Sequence, residues 1–363
     1  MGLLRFFRVK RKSKVADKKT VLDAEIQPGF GARKFRWTEI EAFTKNFSTV
    51  VGSGGFSNVY LARTAPGIPA AVKILGASER LNRMFRQELD ILLQLRHRNI
   101  VTFLGYCDER DEGALVFEYV SNGSLQEKLH NRPAAVVKTA VPVLPWKIRL
   151  AIAFQLAQAI EYLHEKCSLQ IVHGDIKSSN ILLDERFNCK LCDFGSAKMG
   201  FSSAIANPSS SSSSPSSPFR TKQWMMGSPG YTDPQYLRTG IASKKNDIYS
   251  FGVVVLELIT GKVAFCSEKG LILTSILPPE VRDGEGIKPS AVAELVDPRL
   301  RGEFDSNEAG ALLSIAAACL AQPPAPRPVI GGVLQMMTEK IGNVSDGLWA
   351  GKRGSKLLDV GRW

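Results

Sequence analysis

The spacing of apolar residues changes period partway along the chain. Residues 50–62 and 70–75 are rich in β-forming side chains, with Pro and Gly between them, and read as antiparallel strands. Within residues 84–95, Phe85, Leu89, Leu92 and Leu93 recur at helical spacing. Strand character returns at residues 101–106 and 114–120. After Ser124 the pattern turns helical. Residues 146–164 set Leu150, Ala153, Phe154, Ala157, Ile160 and Leu163 on one face, residues 247–260 and 309–320 form further apolar helices, and Met336 and Met337 close the last. The pattern predicts an α+β chain in two lobes. A small β-rich N-lobe with one long helix (about 46–120) meets a larger, mainly helical C-lobe (about 121–340) near residues 118–123.

Some stretches lack this patterning. A helical pattern starts with Phe35, Ile40 and Phe43, so order is expected from about Phe35, and residues 1–34 read as a basic, disordered arm. Residues 131–145 form a Pro/Ala/Val-rich connection. Residues 202–219 contain an unbroken run of serine at 209–214, then Pro215 and Pro218. Such a segment cannot bury enough apolar surface to offset its ordering entropy, so disorder is expected. Residues 341–363 read as a flexible C-terminal tail.

Composition narrows the class. Among 363 residues, 44% hydrophobic and 23% charged content are ordinary for a globular protein. The net charge of +12 favours an acidic partner, and much of it sits in Arg5, Arg8, Lys10, Arg11, Lys12, Lys14, Lys18 and Lys19. Leu3, Leu4, Phe6 and Phe7 beside that run suggest that residues 1–19 meet an anionic membrane surface. Gly2 invites a myristoylation reading, but Phe6 stands where Ser or Thr is wanted. No secretory signal or membrane-spanning run is evident. Six cysteines do not make a disulfide framework. Cys189 and Cys192 have no second C-x-x-C to complete a zinc site, so all six read as reduced thiols.

The chemistry lies in an ordered set of motifs. Val51-Gly52-Ser53-Gly54-Gly55-Phe56-Ser57-Asn58-Val59 joins two strands, and its glycines let backbone amides approach phosphate oxygens. A Rossmann site would need a following helix and a third glycine where Ser57 stands. A Walker loop is absent, since Gly261-Lys262 precedes Val263. Lys73, in Ala71-Val72-Lys73, can present its ammonium to phosphates, held by Glu88 on the next helix. In His173-Gly174-Asp175-Ile176-Lys177-Ser178-Ser179-Asn180, Asp175 is placed to accept or orient the proton of an attacking hydroxyl. Lys177 can neutralise a transferring phosphoryl group. Asn180 and Asp193, in Asp193-Phe194-Gly195, supply hard oxygen ligands for Mg²⁺. Taken singly, each is a common surface or turn residue; the ordered combination points to ATP-dependent phosphoryl transfer.

Across residues 46–340 the chain resembles a protein kinase. More narrowly, it resembles a plant receptor-like cytoplasmic kinase of the Pelle and interleukin-receptor-associated group. The narrower likeness rests on Phe35-Arg36-Trp37-Thr38-Glu39-Ile40, Leu95-Arg96-His97-Arg98-Asn99-Ile100-Val101, Leu115-Val116-Phe117-Glu118-Tyr119 and Asp247-Ile248-Tyr249-Ser250-Phe251-Gly252. The resemblance implies that Phe117 is the gatekeeper and that Glu118 to Val120 form the hinge for adenine. It implies serine/threonine specificity through Lys177 and Ser228, and Asp247 as anchor of the catalytic loop. It also implies an activation segment carrying the serine-rich insert, protein substrates, a receptor kinase or signalling complex as partner, and a cytoplasmic location; a peripheral place at the plasma membrane is suggested by the charge and the Leu/Phe residues of the arm alone. Nucleic acid is not expected.

Three positions depart from the pattern. Ser57 replaces a loop glycine. Gln235 stands where a glutamate would pair with Arg327, so that brace is expected to be weakened. Gly174 stands where an arginine usually grips an activation-loop phosphate. This implies a non-RD site in which Gly174→Arg would retain activity. Together the departures keep open an alternative, a pseudokinase scaffold that binds nucleotide and partners without efficient transfer.

Overall fold

The computed structural model describes residues 31–64, 67–130, 143–200, 227–277 and 289–341. The basic arm up to residue 30, the serine-rich insert, most of the 131–145 connection and the C-terminal tail from 342 lie outside them. In the N-lobe, β1 (Arg33–Lys34), β2 (Val50–Ser53), β3 (Ser57–Thr64), β4 (Ile68–Leu75), β5 (Phe103–Cys107) and β6 (Ala114–Glu118) form one six-stranded sheet. Its order is β1-β5-β6-β4-β3-β2. Every pairing is antiparallel except β1 with β5, where Arg33 lies opposite Gly105. A Cβ on Gly105 would fall 2.0 Å from the Arg33 carbonyl oxygen, so only glycine admits that strand.

Strand alternation sorts this sheet into two faces. Val72 pairs with Val116 and points outward; Lys73 and Ala71, opposite Leu115 and Phe117, point toward the C-lobe. The outward residues are not bare. Phe35 and α1 (Trp37–Phe43) cover them, and Phe35, Trp37 and Ile40 bury with Val72, Ala114 and Val116 in a small core of their own. The folded body therefore begins upstream of residue 46, and the last two residues of the expected arm are already strand. Helix α2 (Glu79–Leu92) starts a turn earlier than its apolar spacing predicts, because the Ser78 hydroxyl caps it by accepting from the Leu81 amide at 3.2 Å.

The C-lobe holds α3 (Leu125–His130), α4 (Trp146–Glu161), α5 (Pro234–Thr239), α6 (Lys244–Thr260), α7 (Pro289–Leu295), α8 (Ser306–Leu320) and α9 (Ile330–Ile341). Helix α6 is buried on every side from Asp247 to Thr260, so it forms the axis of the lobe. Helix α4 runs into a π turn at Tyr162–Lys166, which brings His164 into the core. Two short ladders flank the catalytic loop. One pairs β7 (Ile171–Val172) with β10 (Lys198–Met199), the other β8 (Ile181–Leu183) with β9 (Cys189–Leu191). The main core is continuous between the lobes, running from Leu75, Phe85 and Phe103 through Phe117 to Phe194, Leu156 and Phe251. No helix of the described residues is long and apolar enough to cross a membrane.

Candidate active site

The two lobes meet at Lys73. Its Nζ lies 2.8 and 2.9 Å from the two Glu88 carboxylate oxygens and 2.9 Å from Asp193 Oδ1. Strand β4 carries the lysine, α2 the glutamate, and the segment after β9 the aspartate. Burial alone would push the lysine's pKa down, but the Glu88 and Asp193 carboxylates outweigh it and hold it raised. Burial likewise works against the Asp193 carboxylate, yet Lys73 draws it below its ordinary value. Both groups thus stay ionised at neutral pH. Asp193 sits at φ +63°, in the left-handed region, and Phe194 turns inward, its ring 4.9 Å from that of His173.

The loop from His173 to Asn180 is pinned from beneath by Asp247 of α6. One Asp247 oxygen accepts from the His173 amide and bonds His164 Nε2, both at 2.8 Å; the other accepts from the Gly174 amide at 2.9 Å. Burial opposes ionisation of Asp247, but these donors, His164 first, hold its pKa below the ordinary value. Above this anchor, Asp175, Lys177, Asn180 and Ser228 converge. Lys177 Nζ donates to Asp175 Oδ2 at 2.7 Å and to Ser228 Oγ at 2.9 Å. Ser228 Oγ donates to Asp175 Oδ1 at 2.8 Å. Asn180 Nδ2 donates to the Asp175 carbonyl at 2.9 Å, which turns its side-chain oxygen away from that bond.

The remaining expected residues fall around the cleft between the lobes. Phe117 lies near the end of β6 with its ring 5.6 Å from Phe103, at the back of the cleft. Glu118 and Val120 follow at the crossing between lobes, and Ala71 lies opposite Phe117 on β4. Val51 to Val59 make the β2–β3 turn, closed by the Gly54 amide donating to the Ser57 carbonyl at 2.9 Å. Ser57 takes part as the first residue of β3, and Ser53 Oγ donates to Asn58 Oδ1 at 2.9 Å. Cys189 and Cys192 are free, and burial pushes both thiols well up, which suits packing rather than redox or metal chemistry.

One expectation is corrected. Arg327 does not look to Gln235. Its two terminal nitrogens grip Asp233 at 2.5 and 3.0 Å with both side chains wholly buried. The guanidinium also lies 5.0 Å over the Tyr249 ring. Gln235 instead accepts from Arg238 at 2.6 Å. The brace is a full bidentate ion pair moved two positions upstream, where Asp233 also caps α5 by accepting from the Gln235 amide at 2.9 Å. Sequence reasoning also passed over His164, visible only as a histidine at the end of an apolar helix. It missed a cluster made by Tyr231, Glu257, Ser178 and His130 as well. Glu257 bonds Tyr231 Oη and His130 Nε2 at 2.8 Å each, and Ser178 Oγ lies 2.8 Å from Tyr231 Oη.

A Gly-rich turn over a bridging lysine, an anchored loop holding aspartate, lysine and asparagine, and an Asp-Phe-Gly segment between two lobes define a protein kinase. Comparison of sequences agrees: residues 46–336 match the protein kinase domain model. The chain is 49% identical over 334 residues to "Probable receptor-like protein kinase At4g10390" of Arabidopsis thaliana, covering 90% of this chain and 94% of that protein. It is 48% identical over 311 residues to "Salt tolerance receptor-like cytoplasmic kinase 1" of Oryza sativa subsp. japonica, covering 85% and 81%. The chain belongs to the protein kinase family, as a serine/threonine kinase among the plant receptor-like kinases. Use of ATP, a divalent metal and protein substrates comes with that family.

Proposed function

We propose that this chain is a catalytically competent, non-RD serine/threonine kinase that works with Mg-ATP in cytoplasmic signalling downstream of a receptor. The observation that carries competence is Lys73, charged and held at once by Glu88 of α2 and Asp193 of the C-lobe. A scaffold that had lost transfer would have no need to keep that bridge together with Asp175, Lys177 and Asn180 around one point.

The donor set fits Mg²⁺. Asp193 Oδ2 makes no bond among the described residues, its side chain is 45% exposed, and Asn180 spends its amide nitrogen on Asp175 and so keeps its amide oxygen for a ligand. Two oxygen donors suit a small cation that keeps water and phosphate oxygens as its other ligands. When bound, that ion neutralises phosphate charge. The protein's own groups do the rest. Lys73 Nζ holds the inner phosphates, and the tip of the β2–β3 turn closes over the outer ones. Asp175 accepts a hydrogen bond from the substrate hydroxyl and orients its oxygen for in-line attack on the γ-phosphorus. Lys177, already 2.7 Å from Asp175, balances charge on the phosphoryl oxygens as they move. Most of the rate then comes from positioning and fixed charge. The absence of an arginine at 174 supports a site set without a phosphate gripped there.

The test is incubation of the purified chain with Mg-ATP and a generic basic protein. Phosphate on serine or threonine is expected from wild type and none from folded Asp193→Ala or Lys73→Ala. Wild type that binds nucleotide but transfers nothing would establish the scaffold instead.

A further inference from the structure

The outer side of the N-lobe carries a hollow that adjoins the tip of the β2–β3 turn. It has a volume of about 610 Å³ and is walled by Trp37, Phe47, Phe56, Tyr60, Ile74 and Leu81. Phe56 is 46% exposed into solvent, an unusual state for so large an apolar ring. The hollow adjoins a second one of about 530 Å³, and the two share Arg110 and Glu112. Asp108, Glu109, Asp111 and Glu112 line that second hollow, with Arg86 and Arg110 among them. Asp108 is taken by Lys34 and Glu109 by the Trp37 amide, each at 2.7 Å. Arg110 is held by the Trp37 ring and by Glu41. Asp111, which is exposed, and Glu112 have no partner among the described residues. The paired surface asks for a segment with several apolar or aromatic side chains followed closely by cations.

The chain itself contains that segment. Leu3, Leu4, Phe6 and Phe7 precede Arg8, Lys10, Arg11, Lys12 and Lys14. The body to which it is tethered starts beside the site, since Lys34 bonds Asp108 and Trp37 forms a wall of the hollow. The stretch from Phe7 to Gly31 could extend to about 80 Å, so reach does not limit contact. Tethering also gives a millimolar-scale effective concentration, so a weak contact is enough. We propose that residues 3–14 dock in cis on this surface, with Phe6 and Phe7 in the apolar hollow and the following cations against Asp111 and Glu112. The hollow is built from the tip of the β2–β3 turn and the first turn of α2. A docked arm would therefore rest on the two elements that shape the nucleotide site.

Zero-length carbodiimide crosslinking of the full-length monomer, read by mass spectrometry, tests this. Crosslinks from Lys10, Lys12 or Lys14 to Asp111 and Glu112 are expected. They should fall severalfold in Phe6→Asp/Phe7→Asp, which leaves the body untouched, and in Leu81→Trp, which fills the hollow. Arm crosslinks spread equally to remote acids such as Glu185 and Glu339, or unchanged in the variants, would overturn docking. So would an arm that crosslinks to nothing in the chain but becomes shielded when phosphatidylserine vesicles are added; that outcome assigns it to a membrane surface.

Discussion

At position 174 the backbone adopts φ +77°, and a Cβ there would come 3.0 Å from the Ser196 carbonyl oxygen. Glycine is therefore fitted to the loop's geometry as well as lacking a phosphate grip, so Gly174→Arg carries a backbone cost beside any effect on regulation. A side chain at that angle costs about 1–2 kcal/mol, and the loop it would strain is the one whose amides hold Asp247. Gly174→Ala should lower the melting temperature by several degrees and reduce turnover together; an unchanged melt would show that the loop relaxes without cost. Position 233 offers a second comparison. Asp233→Ala leaves the Arg327 guanidinium buried and unpaired and should cost about 3–5 kcal/mol in chemical denaturation. Gln235→Ala should change stability by no more than about 0.5 kcal/mol. The reverse ranking would return the brace to residue 235. The sequence could not show this choice. Asp233 and Gln235 sit two apart, both polar, and the partner lies 94 positions away.

Among elements, the segment ending at α5 is tied to α6 through Tyr231. Burial and the Glu257 carboxylate push its phenol well up, so it remains a neutral donor. Tyr231→Phe removes that donor and leaves a Glu257 oxygen unpaired, at a cost of about 1–3 kcal/mol. Because Ser228 sits three residues before it on the same segment, kcat should fall while the KM for ATP holds. A change confined to KM would place the tyrosine's role elsewhere. Local motifs were readable because their chemistry is short-range. Lys73, Asp175, Lys177, Asn180 and Asp193 are legible as an ordered set of types and spacings, though none is so alone, and the fold brings all five together. Element ends were less readable. The start of α2 depends on a Ser78 hydroxyl rather than on apolar period. Strand β1 is two residues long and exists through its pairing with β5. The π turn that seats His164 leaves no mark in an apolar pattern.

For the molecule as a whole, acid sensitivity follows from its buried carboxylates. Asp233 and Asp247 are both held below the ordinary value of 3.8, against burial, by Arg327 and by His164 with the loop amides. Groups with depressed folded values contribute stability that is complete above 3.8 and is lost as pH falls through the lower folded values. Urea midpoints should stay level from neutral pH until the carboxylates begin to protonate, then drop. Asp233→Asn should start lower at neutral pH and lose less on acidification; a parallel curve would remove Asp233 from the account. The small core under α1 carries a consequence for anyone trimming the protein. The match to the protein kinase domain begins at residue 46, yet Phe35, Trp37 and Ile40 shield Val72 and Val116. At about 1.5–3 kcal/mol for each large side chain buried, cutting at that boundary removes stabilisation comparable to a small domain's whole margin. It also uncovers an apolar sheet face formed by Ala62, Ala70, Val72, Ala114 and Val116. A truncated protein starting at 46 should collect in inclusion bodies, whereas one starting at 31 should stay in solution.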